Sequence, residues 1–203
     1  MLFRSATTSF IIQKNLGTFG DGGMVITDNP EIDRKVRKMR NHGSEKRSQH
    51  SFGYNSRLDD IHAGILSAKL KKIHAGNDLR RKWAARYTAA FKGVVKNFTL
   101  PYEVPGTRHV YHLYVIETVN PAKRDALMKF LIDNGVDAKS HYPIAIHQQE
   151  GYPWGKQARI VGPIPNSEKN AASCVSLPMF PELTEAEVDY TIQKCLEWDK
   201  ANA

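Results

Sequence analysis

Lys14 is the residue of this 203-residue chain with the clearest capacity for chemistry. It follows the short β-branched stretch Thr7–Ile12 and precedes a glycine-rich segment, Asn15–Gly23. A lysine amine attacks a carbonyl only when deprotonated, and partial burial near other cations favours that form. Glycines at 17, 20, 22 and 23 let the backbone turn sharply and approach a ligand closely. The hydroxyl of Ser9 could hold a phosphate oxygen of the same ligand whose aldehyde Lys14 reaches. On residue type alone, an exposed strand-end lysine beside a hairpin is the simpler account.

The histidines offer less. His109 and His112 fall three apart on an expected strand, so they point to opposite faces and cannot share a metal. His141 and His147 lack accompanying Cys, Asp or Glu at metal spacing, so no metal site is expected. The aromatic cluster Tyr111, Tyr114, Phe130 and Trp154 reads as core. The chain carries a formal net charge of +8, with basic residues crowded at Arg34–Arg47 and Lys69–Arg86. Such stretches attract phosphates, including those of nucleic acid. They lack the interleaved exposed aromatics of a stacking platform, and solvated helix faces are the simpler reading. Two cysteines do not make a disulfide framework, and no apolar run approaches the roughly 18 residues of a membrane span. No signal peptide is evident, so a reduced, cytoplasmic setting is expected.

The elements that must position these residues are legible as a pattern. Thr7–Ile12 reads as a strand, Asp21-Gly22 as a hairpin turn, and Met24–Thr27 as the returning strand. Asp28 or Asn29 caps a helix with Pro30 at its first position, running to about Arg40. Asn41–Ser51 reads as a polar loop. Leu58–Phe91 is the longest helical pattern, interrupted at Gly76 and Asn77. Pro101 and Pro105-Gly106 mark a linker. His109–Thr118 reads as a strand, Pro121–Asn134 as a helix closed by Gly135, and Val136–Tyr142 as a second extended piece. Residues 144–165 are loop-rich. A short helix at Ser167–Ala172, a strand at Val175–Leu177 and a helix at Thr184–Trp198 opening on a capping box complete the chain. The boundary expected near 92–100 divides an α/β portion, residues 1–95, from a small α+β domain, residues 96–203.

Several segments together carry a resemblance. Ser9–Gly23 (SFIIQKNLGTFGDGG), Arg40–Arg47 (RNHGSEKR), Gly53–Leu70 (GYNSRLDDIHAGILSAKL) and His109–Ile116 (HVYHLYVI) resemble the DegT/DnrJ/StrS-type sugar-nucleotide aminotransferases, in the family's order. So do His141–Gln149 (HYPIAIHQQ) and Ser176–Val188 (SLPMFPELTEAEV). The agreement runs from about Ala6 to the C-terminus.

The resemblance implies a fold-type-I enzyme dependent on pyridoxal 5′-phosphate (PLP). This chain would comprise part of the large PLP domain followed by the small C-terminal domain. Lys14 would form the Schiff base with the cofactor and then carry protons. Ser9 would bond its phosphate, and Asn55 would reach the phosphate of a neighbouring subunit's cofactor across a homodimer interface. Arg57, His141 and Tyr142 would face the nucleotide-linked keto sugar, a guanidinium fork suiting phosphate or carboxylate oxygens. Without the resemblance, Asn55 reads as a turn residue and Arg57 as a helix N-terminal salt bridge. The implied reaction moves an amino group, usually from glutamate, onto that sugar, in amino-sugar and polysaccharide biosynthesis. Neither nucleic acid nor a membrane is an expected partner.

The sequence departs from the family pattern at Ile12, Gln13, His62 and Gly64, and Met1–Ser5 matches nothing in it. Family members also carry a substantial segment before this lysine. It supplies phosphate-binding amides, a group stacking on the pyridine ring and an acid for the ring nitrogen. No acidic residue precedes Lys14 here. The expectation is therefore an incomplete chain, inactive alone, binding PLP weakly or not at all and poorly soluble. Three rivals stay open: a PLP-dependent sugar dehydratase, which the resemblance associates with histidine at the lysine position, a non-catalytic fragment, and a basic nucleic-acid-binding protein.

Overall fold

A computed structural model describes residues 5–46, 49–151 and 159–203, so Trp154 and Arg47 lie outside the described residues. The chain forms two compact units, Met1–Ala75 and Gly76–Ala203.

In the first unit, β1 (Ser5–Ser9) and β2 (Gly23–Thr27) form an antiparallel ribbon in register from Ser5 opposite Thr27 to Ser9 opposite Gly23. Its residues are almost all exposed, on both faces. The first strand ends earlier than the expected Ile12, because Phe10 turns inward and is buried. The strands are joined by a long loop, residues 10–22, rather than by a tight turn at Asp21-Gly22. Helix α1 (Pro30–Met39) starts where its cap dictates. Asn29 Oδ1 accepts from the Glu31 and Ile32 amides, and Pro30 takes a first-turn position that needs no donor.

A small hairpin, β3 (Ser44–Lys46) and β4 (Gln49–His50), stands where a polar loop is expected. It closes through two glycines in mutual contact. Gly43 sits at φ +69, and a Cβ on Gly53 would strike the Gly43 backbone. Helix α2 (Asp60–Leu70) follows. The long helical pattern breaks at Lys71–Lys72 rather than at Gly76-Asn77, both of which lie inside α3 (Ile73–Phe91).

The second unit is built on a three-stranded antiparallel sheet in the order β5 (Phe98–Thr99), β6 (Tyr114–Thr118), β7 (Cys174–Leu177). Along β6, Tyr114, Ile116 and Thr118 are buried and alternate with half-buried residues. Helix α3 presents Trp83, Ala84, Tyr87 and Phe91 to the core at helical spacing. Leu127 and Leu131 of α4 (Pro121–Asp133) and Val188, Cys195 and Trp198 of α6 (Glu185–Ala201) join the same cluster. The short α5 (Pro165–Ser173) precedes β7. Tyr111 and Tyr114 belong to this core, with Phe130 packed partly buried against it, as their composition suggests.

Because the buried face of α3 belongs to this cluster, the compact division falls at Ala75–Gly76, ahead of the boundary expected between 95 and 96. Two expected strands are shorter or absent. His109–Leu113 is irregular, so the strand-face argument for His109 and His112 does not apply. Val136–Tyr142 makes only a bridge between Lys139 and Ser176.

Arg80 explains the irregular segment. Expected within a solvated basic face, it is instead 7% exposed. Its Nη1 donates to the carbonyls of Tyr111 (3.3 Å), His112 (3.2 Å) and Met179 (2.8 Å). Those bonds hold Tyr111 at φ 42, a conformation costly for an aromatic residue. Asp199 ties the far end of α6 in the same manner. Its carboxylate accepts from the Asn97 amide (2.8 Å), Asn97 Nδ2 (3.0 Å) and the Lys96 amide.

Arg80→Met, which keeps the stem and removes the donors, is expected to lower unfolding free energy by roughly 3 kcal/mol in urea titration. An unchanged midpoint would contradict the account.

Acid should also weaken α6. Glu187 accepts from the Thr184 amide (2.8 Å) and hydroxyl (2.7 Å), which hold its carboxyl below the ordinary value of 4.5. The stability it contributes is present above pH 4.5 and is lost as pH falls through the lowered folded value. A Glu187→Gln variant should show a shallower loss over that window in thermal melts.

Candidate active site

The Lys14 loop is shaped by backbone bonds from both ends. The Phe10 amide donates to the Gly22 carbonyl (2.7 Å), and the Phe10 carbonyl accepts from the Thr18 amide (2.7 Å). Phe10 thereby closes a ring of backbone around Lys14. Within it the Lys14 amide donates to Ile11 O at 2.9 Å. Gly17 passes so close to the Ile11 and Ile12 carbonyls that a Cβ would lie 2.6 and 2.5 Å from their oxygens. From α2, Lys69 Nζ donates to the Gly17 carbonyl at 2.5 Å. Ser9, the last residue of β1, accepts from the Ile11 amide through Oγ at 3.3 Å, so Ser9 and Lys14 flank one turn. Lys14 itself is half-buried, and among the described residues no carboxylate pairs with it.

Asn55 and Arg57 lie on a segment laced to the end of α1. The Tyr54 amide donates to Met39 O, the Ser56 amide to Arg40 O and the His42 amide to Tyr54 O, while Asn41 and Asn55 form a bridge. Arg57 Nη1 donates to Asn41 Oδ1 at 2.7 Å. Both residues line a cavity of about 780 Å³ together with Thr7, Thr8, Arg37 and Arg40. Ser9 and Lys14 are not among its lining residues. The chain brings Ser9 to Lys14 and Asn55 to Arg57.

In the second unit, His141 Nδ1 is 2.9 Å from Ser176 Oγ and its carbonyl faces Cys174 Sγ, which fixes the ring against β7. Tyr142 is exposed. Both line a cavity of about 480 Å³ with His147, Arg159 and Asn170.

Sequence reading missed Lys69. It belongs to a stretch read as a solvated helix face, and its bond to Gly17 spans the long loop between them, which no local pattern records. In the other basic stretch, acids interleave: Arg34 and Lys38 pair with Glu45, Lys35 with Glu31 and Arg37 with Asp33. That is a mixed-charge surface rather than a continuous cationic stripe. Among the described residues no three His, Cys, Asp or Glu side chains gather as a metal would require, and no helix is long and apolar enough to cross a membrane.

The chain thus carries a lysine on a glycine-rich loop between two strands, followed by a small α+β unit. Residues 3–196 match the model of the DegT/DnrJ/EryC1/StrS aminotransferase family. The chain belongs to that family, which is one of PLP-dependent enzymes. Among its relatives, a pleiotropic regulatory protein of Geobacillus stearothermophilus is 41% identical over 96% of this chain and 51% of its own length. The dTDP-3-amino-3,4,6-trideoxy-alpha-D-glucose transaminase of Streptomyces venezuelae is 36% identical over 95% of this chain and 50% of its own. The crystal structure of S. venezuelae DesV in complex with a ketimine intermediate superposes with a TM-score of 0.86 at 35% identity, covering 97% of this chain and 52% of that one. The chain thus spans about half the length of the curated relatives it matches.

One atom in the Lys14 loop is unsatisfied. Thr18 Oγ1 is fully buried and has no hydrogen-bond partner among the described residues. Thr18→Val, isosteric and apolar, should therefore raise the stability of the first unit by about 1 kcal/mol. A loss of similar size, read by local hydrogen exchange in residues 10–22, would show that the hydroxyl has a partner.

Proposed function

We propose that this chain is the lysine-bearing portion of a PLP-dependent sugar-nucleotide aminotransferase. The enzyme would pass an amino group from an amino acid, glutamate being the family's usual donor, to a keto sugar carried on a nucleoside diphosphate. The carrying observation is the position of Lys14: a half-buried amine without a carboxylate partner among the described residues, on a loop tied at Phe10, Ile11 and Gly17. The relatives act on dTDP- and UDP-linked sugars by their names, which supports a nucleotide-linked substrate.

The donor set fits the cofactor in part. The Lys14 amine matches an aldehyde carbon. Ser9 Oγ accepts from the Ile11 amide, which leaves its own O–H to donate to a phosphate oxygen. When bound, PLP supplies an electron sink for the carbon that loses or gains a proton. Lys14 Nζ then holds and moves that proton, and the tied loop limits its search to one side of the site. The Asn55 amide would donate to a phosphate, and Arg57, pinned by Asn41, would offer its fork to the sugar nucleotide. By the family resemblance, His141, fixed against Ser176, and the exposed Tyr142 would also face the sugar nucleotide.

The family resemblance implies a homodimer in which Asn55 of one chain reaches the cofactor phosphate of the other. A cytoplasmic role in amino-sugar or polysaccharide biosynthesis follows from the same reading. A lysine rather than a histidine at position 14 favours transamination over dehydration.

A colour measurement tests the proposal. The protein incubated with PLP together with the portion of its relatives that this chain does not span should develop a visible band, and this chain alone should develop it weakly or not at all. Borohydride should abolish the band, and Lys14→Ala should prevent it. The assembled enzyme carrying that substitution should fall to background transamination. A colourless protein whose affinity for nucleic acid drops steeply with salt would point to the basic-binder reading instead.

A further inference from the structure

Lys69 supplies the tie at Gly17 from a helix rather than from the loop itself. It lies in the last turn of α2, half-buried, and makes no ion pair with a carboxylate among the described residues. Its ammonium instead meets the Gly17 carbonyl at 2.5 Å, across a separation of 52 residues. A charged donor on a neutral acceptor makes a stronger bond than a neutral pair, and partial burial strengthens it further.

The acceptor's place matters. Gly17 lies between Lys14, whose amide is held by Ile11, and Thr18, whose amide is held by Phe10. Its own backbone presses against the Ile11 and Ile12 carbonyls with no room for a Cβ. The backbone bonds tie the loop to itself, at Phe10, Ile11 and Gly22 next to the ends of the two strands. Lys69 fastens it to a helix.

We infer that Lys69 is a positioning residue for Lys14: by clamping the Gly17 carbonyl to α2 it holds the Lys14 turn in one conformation. This rests on the reading of Lys14 as the cofactor lysine, and it concerns how that amine is placed rather than what it does. Lys69 does not touch the reacting atoms in this account. It lowers the conformational freedom of the loop that carries them.

The test is site-resolved hydrogen exchange on the full chain, comparing the parent with Lys69→Met and Lys69→Arg. Lys71→Met, an exposed lysine just beyond the same helix, serves as control. Lys69→Met should speed exchange of the Lys14 and Thr18 amides at least tenfold, and leave the Ile116 and Val175 amides of the second unit unchanged. Lys69→Arg, which keeps a charged donor, should restore most of the protection, and Lys71→Met should have no effect. Unchanged exchange at Lys14 and Thr18 in Lys69→Met overturns the inference, as does an equal increase in both units.

A parallel measurement separates this from the parent reading. Capture of PLP at Lys14 after borohydride reduction, read by peptide mass spectrometry, should fall at least fivefold in Lys69→Met and recover in Lys69→Arg. Capture that falls while exchange stays unchanged overturns the clamp and leaves Lys14 as the cofactor lysine. Loosened exchange with no capture in any variant, parent included, when the portion of the relatives that this chain does not span is also present, supports the clamp and sinks the cofactor reading.

Discussion

Phe10 commits both of its backbone polar groups to the far side of the loop that carries Lys14. Its amide takes Gly22 O and its carbonyl takes the Thr18 amide, while its ring is buried. A long loop would otherwise sample many conformations, each weakening the placement of a single amine. Two backbone bonds at one buried residue divide it into shorter arcs, and the Lys14 turn and Gly17 belong to the arc from Phe10 to Thr18. The ribbon below is a poor scaffold by itself, two strands exposed on both faces. The loop's order therefore comes from Phe10 and the neighbouring helix more than from the sheet.

The second unit solves a different problem. It must give an irregular segment, His109–Leu113, a fixed path next to a packed sheet. A buried guanidinium does this by serving carbonyls that no strand or helix satisfies. Arg80 serves three, on two segments distant in sequence, while its stem lies on the same helix that contributes Trp83, Tyr87 and Phe91 to the core. Asp199 mirrors it with opposite charge, collecting the amides of Lys96 and Asn97. The two residues do from helices what β-ladders do elsewhere.

The helices were legible where a local device starts or stops them. Asn29 with Pro30, the Thr184–Glu187 capping box, and Gly135 at φ +77 all stand where the sequence places them. Elements set by distant partners were not legible. The break at Lys71–Lys72 carries no breaker residue, whereas Gly76 sits quietly within α3. The strand expected from His109 loses its first half to Arg80, and β5, only Phe98–Thr99, is too short to leave a period. At the site, residue identities were legible through family resemblance, while spacing alone left Lys14 and Arg57 ambiguous. Lys69 was invisible for the reason that hid Arg80: a side chain bonding a remote carbonyl leaves no trace in nearby sequence.

The second unit's connections also bear on how fast it can assemble. Arg80 meets Met179 across 99 residues, Arg86 meets Asp189 across 103, and β6 pairs with β7 from Tyr114 opposite Leu177. Contacts of such high sequence separation are rewarded only after a large loss of chain entropy, so the barrier comes early and the chain waits before it. During that wait α3 holds Trp83, Tyr87 and Phe91 without their eventual neighbours. Refolding of this unit should accordingly be slow for its size, and the delay is a window in which aggregation competes with folding.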